Sequence, residues 1–206
     1  MSDTRLGLLA VMAACIIWGL SPLYYKLLDH VPALEVLAHR TVWSLVTFAL
    51  VLAAQRRIGA LKDCLSQPSL LAILAFCAVM ISVNCFLLIY SVQAGRVTET
   101  SLGYYTFPLV AIALGVAVLG ERPRVWQWLA IALATIAVVV LTWGLGAAPW
   151  IALTLAVTFG FYSLAKKRTA LGAVVSVTAE VVLLAPAAVI WLVVVHGQGG
   201  GHIGRD

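Results

Sequence analysis

The sequence predicts an all-α polytopic membrane protein with about seven transmembrane helices. Three observations carry that reading. Of 206 residues, 63% are hydrophobic and only 10% are charged, with a mean hydropathy of +1.06, whereas a soluble domain carries about 25% charged residues. Uncharged runs of some twenty residues recur along the chain; at about 1.5 Å per residue such a run matches a hydrocarbon core of about 30 Å. The basic residues collect in short segments between the runs, which marks membrane orientation rather than a nucleic-acid surface. The short alternating segments of a β-barrel do not occur. The lipid bilayer is thus the expected partner, and no nucleic acid is expected.

The first span is the uncharged run Leu6–Tyr25. It is too long for a signal-peptide core, its flank (Asp3, Arg5) is nearly neutral, and no Ala-x-Ala site follows, so it reads as a retained helix. Trp18, Tyr24 and Tyr25 suit an interfacial belt; alternatively Gly19–Pro22 loosens the helix at Pro22 and turns backbone toward a cavity. The second span must begin near Pro32, because Thr41–Ala54 alone is too short to cross. It carries Glu35 and His39 on one helical face with Arg40 beside them. That group is either an interfacial cluster that snorkels or a solute- and proton-handling site at a cavity mouth. Arg56, Arg57 and Lys62 form a basic loop that also holds Cys64, and a third span near Leu70–Tyr90 contains Asn84. A buried amide either ties helices together or meets a solute.

The fourth span, Thr100–Gly120, is uncharged over 21 residues but uneven in character. Its first half holds Thr100, Ser101, Tyr104, Tyr105 and Thr106 and then Pro108; its second half is aliphatic. Pro108 cannot donate to the helix ladder, so a bend or weak point is expected there. Such a half-polar span either borders a pathway or serves packing alone. Glu99 stands at its N-terminus, where an anion is favoured. Val125–Ala165 is too long for one crossing, and the turn Gly144–Pro149 divides it into Trp126–Trp143 and Trp150–Ala165, bracketed by tryptophans. Lys166, Lys167 and Arg168 follow; a last span near Leu171–Val195 contains Glu180 and Pro186; residues 196–206 form a glycine-rich tail expected to be disordered. With the N-terminus in the cytoplasm, nine basic residues fall inside and four outside, which favours that orientation. Cys15, Cys77 and Cys85 lie in apolar spans, and no Cys/His spacing points to a metal or other cofactor.

A weak internal echo is present. Trp18-Gly19 precedes Lys26 as Phe159-Gly160 precedes Lys167, and Arg40 and Glu180 then follow at similar distances. The copies would lie five crossings apart and hence be inverted, an arrangement characteristic of transporters.

The stretches Ile17-Trp18-Gly19-x-Ser21-Pro22-x-x-x-Lys26, Val31-Pro32-x-x-Glu35-x-x-x-His39-Arg40-x-x-Trp43-Ser44, Thr100-Ser101-Leu102-Gly103-Tyr104-Tyr105-x-x-Pro108-Leu109 and Leu119-Gly120-Glu121-Arg122 resemble the RarD group of EamA-type proteins, in the drug/metabolite transporter superfamily. The resemblance covers residues 5 to about 195. It implies an inner-membrane permease of ten helices in two inverted five-helix repeats, working by alternating access without ATP hydrolysis. On that pattern residues 1–146 form the first repeat and 147–195 two helices of the second. Spans eight to ten are missing from the pattern, and a fragment or frameshifted product is the expectation.

The expected function is gradient-driven movement of a small organic solute, with a proton as candidate coupling ion. Glu180 is the first candidate, because a carboxylate inside a span is costly and functional by default; Arg40 or His39 is its expected partner. Tyr104, Tyr105 and Trp18 would supply amphipathic cavity wall, with Glu35 and Asn84 as further pathway candidates and Pro22, Pro108 and Pro186 as bend points. The competing expectation is a non-transporting subunit or fragment that needs a partner, or a homo-oligomer assembled through a small-residue face such as Ala111-x-x-x-Gly115. A membrane enzyme is disfavoured: no HExxH, nucleophile elbow or P-loop occurs.

Overall fold

The computed structural model describes residues 3–145 and 150–202. Among them are eight helices and no strand: α1 (Asp3–Leu27), α2 (Ala33–Ala54), α3 (Ile58–Leu65), α4 (Pro68–Gln93), α5 (Val97–Leu119), α6 (Val125–Leu145), α7 (Trp150–Lys167) and α8 (Ala173–Gly197). Six of them, all but α3 and α7, are long and apolar enough to cross a membrane. The expected count of seven is therefore not reached on length and apolarity. α7 has 18 residues and ends in Lys166 and Lys167. It is also an inner element, burying Ile151, Ala152, Leu155, Ala156, Thr158 and Gly160 against its neighbours. A helix shielded from lipid by other helices need not be uniformly apolar. The expected turn at Gly144–Pro149 lies mostly outside the described residues.

α5 and α7 make the most extensive contact, followed by α2 with α8 and α4 with α7. α1 and α6 lie at the periphery, and none of their most apolar stretch is buried. The α5–α7 contact depends on two glycines. A Cβ on Gly103 would stand 3.0 Å from the Ala152 carbonyl oxygen and 3.1 Å from its Cα; one on Gly160 would stand 2.9 Å from Val110 Cγ1. Small residues let helix backbones approach where no hydrophobic force drives association. α5 runs through Pro108 as one helix, as α1 and α8 run through Pro22 and Pro186. Glu99, in the first turn of α5, pairs with Arg96 at 2.6 Å. The α1–α2 connection is tied to α4 by Gln93, whose amide donates to the carbonyls of Leu28 (2.7 Å) and Val31 (3.0 Å).

Two sequence expectations need correction. The basic segment after α2 is not a plain loop. It contains α3, whose Leu61, Cys64 and Leu65 pack with Leu52, Leu74, Val175 and Ala179. Ile58, Leu61 and Leu65 recur at helical spacing, which is why a short amphipathic helix forms there. Cys64 is consequently buried, and burial pushes its thiol above the ordinary range, against the opposing effect of Lys166. The small-residue face is not open either. Gly115 is buried, and a Cβ there would stand 2.5 Å from Glu121 Oε2. Gly120, at φ 66°, reverses the chain so that the Glu121 N–H donates to the Gly115 carbonyl at 3.1 Å.

Gly103→Ala should lower stability by about 1–3 kcal/mol, because it overpacks a backbone contact. Gly19→Ala, with nothing within 4 Å of its added carbon, should change it by less than about 0.5 kcal/mol. Thermal unfolding of the two variants in one detergent checks the contrast.

Candidate functional site

Glu180 lies two turns into α8 with its side chain 3% exposed. Its carboxylate is surrounded by donors. Lys166 Nζ, from the last turn of α7, approaches Oε1 at 2.5 Å. The Tyr162 hydroxyl donates to Oε2 at 3.3 Å, and the Ser176 hydroxyl donates to Oε1 at 3.4 Å. Lys166 also hydrogen-bonds Ser176 and lies 5.4 Å from the centre of the Tyr162 ring. The local sequence explains the arrangement. Tyr162 and Lys166 are four apart on α7, as Ser176 and Glu180 are on α8, so each pair occupies one helical face. The long Lys166 side chain carries its ammonium from the last turn of α7 to the carboxylate. The cation that pairs Glu180 is thus Lys166, not Arg40 or His39.

Glu180 and Arg40 nevertheless border one hollow. A cavity of about 210 Å³ between α2, α4, α7 and α8 is lined by Arg40, Ser44, Ser82, Cys85, Tyr162 and Glu180 among others. Arg40 and Ser44 also line a groove of about 560 Å³ on the α1–α2 side, with Tyr24, Tyr25 and Trp43. Arg40 therefore stands between two hollows, and among the described residues no carboxylate forms an ion pair with it. A guanidinium has five fixed donors suited to a carboxylate or another oxygen acceptor.

Asn84 is buried at the junction of three helices. Its amide donates to the Leu155 carbonyl at 2.9 Å and the Thr158 hydroxyl at 3.0 Å, and its oxygen accepts from the Tyr104 hydroxyl at 3.3 Å. Both halves of the amide thus have protein partners on α5 and α7. Tyr104 shares a smaller cavity, of about 150 Å³, with Trp18, Ser21 and Pro22. Tyr105 points away and is 73% exposed. Glu35 and His39 do share a face, but they meet residues of the α8 end and the tail: the His202 backbone N–H donates to Glu35 Oε1 at 3.0 Å, and the His39 and His196 rings lie 5.9 Å apart. The tail is described as far as His202.

Sequence reasoning missed Lys166, Tyr162, Ser176, Ser44, Ser82 and Cys85 in this site. Lys166 was readable only as one of three basic residues after α7. Its neighbour Lys167, which the internal echo singles out, instead makes an exposed pair with Glu121 at 3.3 Å.

Lys166→Met should destabilise the protein by about 3–5 kcal/mol, because it leaves a buried carboxylate unpaired. The double variant Lys166→Met/Glu180→Leu should recover most of that loss. Thermal unfolding of the single and double variants in detergent measures both.

Residues 5–143 match the EamA-like transporter family. The chain is 47% identical to Protein RarD of Streptomyces exfoliatus, over 93% of its own length and 62% of that protein. It is 40% identical to Protein RarD of Escherichia coli over 99% of its length and 69% of the relative, and 39% identical to an uncharacterized transporter of Pseudomonas aeruginosa over 93% and 64%. The chain thus spans about two-thirds of the length of these relatives. No solved structure matches it. Taken with its long apolar helices, these likenesses show that the chain is a multi-pass membrane protein of the EamA-like transporter family, of the RarD type.

Proposed function

We propose that the protein is part of a drug/metabolite-type permease that moves a small organic solute across the inner membrane by alternating access. The observation that carries this reading is the cavity between α2, α4, α7 and α8, where Arg40 faces the buried Glu180–Lys166–Tyr162 cluster. Ionisable groups turned into a hollow within a membrane bundle are the usual marks of a solute or proton path. Arg40 is the residue assigned to an oxygen acceptor on the solute. Glu180 is the residue assigned to the proton, exchanging it when the solute or a movement of α7 displaces Lys166. Tyr104 and Trp18 supply a second, amphipathic wall between α1 and α5. Asn84 is assigned to holding α4, α5 and α7 in register rather than to the solute, because its amide is already bonded within the protein.

In this reading α7 crosses the membrane as a seventh span, shielded by α4 and α5. α7 and α8 begin an inverted copy of α1 and α2, and the N-terminus is cytoplasmic. The extensive α2–α8 contact supports a meeting of two repeats at the cavity. The competing reading, a non-transporting subunit, is favoured by the wholly exposed apolar stretches of α1 and α6, which a partner chain as well as lipid could cover.

The test is proton-coupled flux in vesicles carrying the chain, screened with labelled amino acids, organic acids and amphenicol antibiotics. Movement of one of these solutes should rise with the proton gradient, and Glu180→Gln should remove that dependence while the protein still inserts. Dependence that survives Glu180→Gln would end the proton role. Absence of flux for every solute, restored by co-expression of a partner chain, would favour the subunit reading.

A further inference from the structure

Away from that cavity, four potential metal donors converge at one end of the bundle. Glu35 and His39 are one turn apart in the first two turns of α2. His196 is in the last turn of α8. α2 and α8 pack along each other, and the start of one meets the end of the other. Ligand atoms of Glu35, His39 and His196 all lie within 4.8 Å of one another. His202, from the residues after α8, completes the group: its backbone N–H reaches Glu35 Oε1 at 3.0 Å and Oε2 at 3.3 Å, and its ring Nδ1 lies 3.4 Å from Oε2.

The state of the two imidazoles suits metal binding. His196 Nδ1 lies 2.9 Å from the Leu192 carbonyl oxygen. A carbonyl only accepts, so Nδ1 carries a proton, and in the neutral ring Nε2 then holds the lone pair. A ligating histidine is commonly held in this way, with its second nitrogen donating to a carbonyl. Among the described residues His39 Nε2 is a buried nitrogen with no hydrogen-bond partner, an arrangement that is costly unless something supplies one. The backbone is shaped to the cluster as well. Gly199, at φ 77°, turns the chain back. Gly201 is buried, and a Cβ there would lie 2.6 Å from His196 Cδ2 and 2.7 Å from Nε2. A side chain at 201 would press on that ring.

We propose that Glu35, His39 and His196 bind one divalent transition-metal ion of the Zn²⁺ class, with His202 holding the Glu35 carboxylate from outside. Two imidazoles and one carboxylate form a borderline donor set, suited to Zn²⁺, Co²⁺ or Fe²⁺ rather than to Ca²⁺ or Mg²⁺. Bonds of about 2.0–2.2 Å require the three donors to close to about 3.3 Å apart, a change within reach of side-chain rotation at a helix end. The ion would fasten the end of α8 and the residues after it to the start of α2. Two ligands come from the start of α2 and the third from the end of α8, which is why the full set cannot be read from spacing in the sequence.

The test uses the full 206-residue chain, purified in detergent through a tag without histidine and stripped with chelator. Co²⁺ titration should show one ion per chain by its visible ligand-field absorption, displaced by stoichiometric Zn²⁺. His39→Ala and His196→Gln should each weaken Co²⁺ binding at least tenfold, while His30→Ala, an exposed histidine outside the cluster, should leave it unchanged. Zn²⁺ should raise the unfolding temperature of the parent chain. It should not raise that of His196→Gln, measured against the metal-free unfolding temperature of the same variant. No stoichiometric Co²⁺ binding, or equal binding by the His39→Ala/His196→Gln double variant, would overturn the proposal.

Discussion

A carboxylate held among apolar helices must find a cation and hydrogen-bond donors, or the bundle cannot close around it. Glu180 is that group, and its needs order the surrounding structure. Lys166 must end α7 where its ammonium reaches back across to α8; Tyr162 and Ser176 must sit one turn from Lys166 and Glu180 on the facing sides. Those side chains tie α7 to α8, which make little direct backbone contact. α2 then packs along the other side of α8 and carries Arg40 to the same hollow. Glu180 and Tyr162 of that cluster face the cavity that Arg40 borders from α2.

A second set of constraints holds the frame in which this pair sits. Without water in the hydrocarbon region, polar groups tie helices together because no other partner is at hand. Asn84 bonds across to α5 and α7, and Gly103 and Gly160 let those two helices close on each other. Aromatic rings fill the remaining space: Phe159 of α7 meets Phe107 at 4.7 Å and Tyr104 at 6.3 Å between ring centres. α1 and α6 take little part in this frame and present their apolar stretches outward.

Much of the fold could be read from the chain, because hydrophobic length is a strong signal: α1, α4, α5 and α6 fall on uncharged runs, and α2 and α8 on apolar segments that carry a few charged residues. α3 was missed because eight residues with two charges, Lys62 and Asp63, read as a loop; only the spacing of Ile58, Leu61 and Leu65 could have revealed it. The tryptophan-bracketed run marks α7, yet its lysines place it below the apolarity of a lipid-facing span. Glu180 was visible as the one carboxylate deep in an apolar run, but its partner was not. Symmetry pointed to Arg40, whereas a flexible lysine from the preceding turn of chain reaches Glu180 first. The His39–His196 approach was invisible for a different reason: distance along the chain says nothing about which helix ends meet.

In a permease of this kind the hollow between α2, α4, α7 and α8 opens to water and solute. The most direct measurement is thiol accessibility. Ser44→Cys and Ser82→Cys, each in a chain freed of its four native cysteines, would be treated in membranes with a small charged thiol reagent, beside Val139→Cys on the outward face of α6. Rapid labelling is expected at 44 and 82 and none at 139. Equal protection at all three positions would contradict it, because the polar cluster around Glu180 would then be a sealed structural pair rather than the wall of a path.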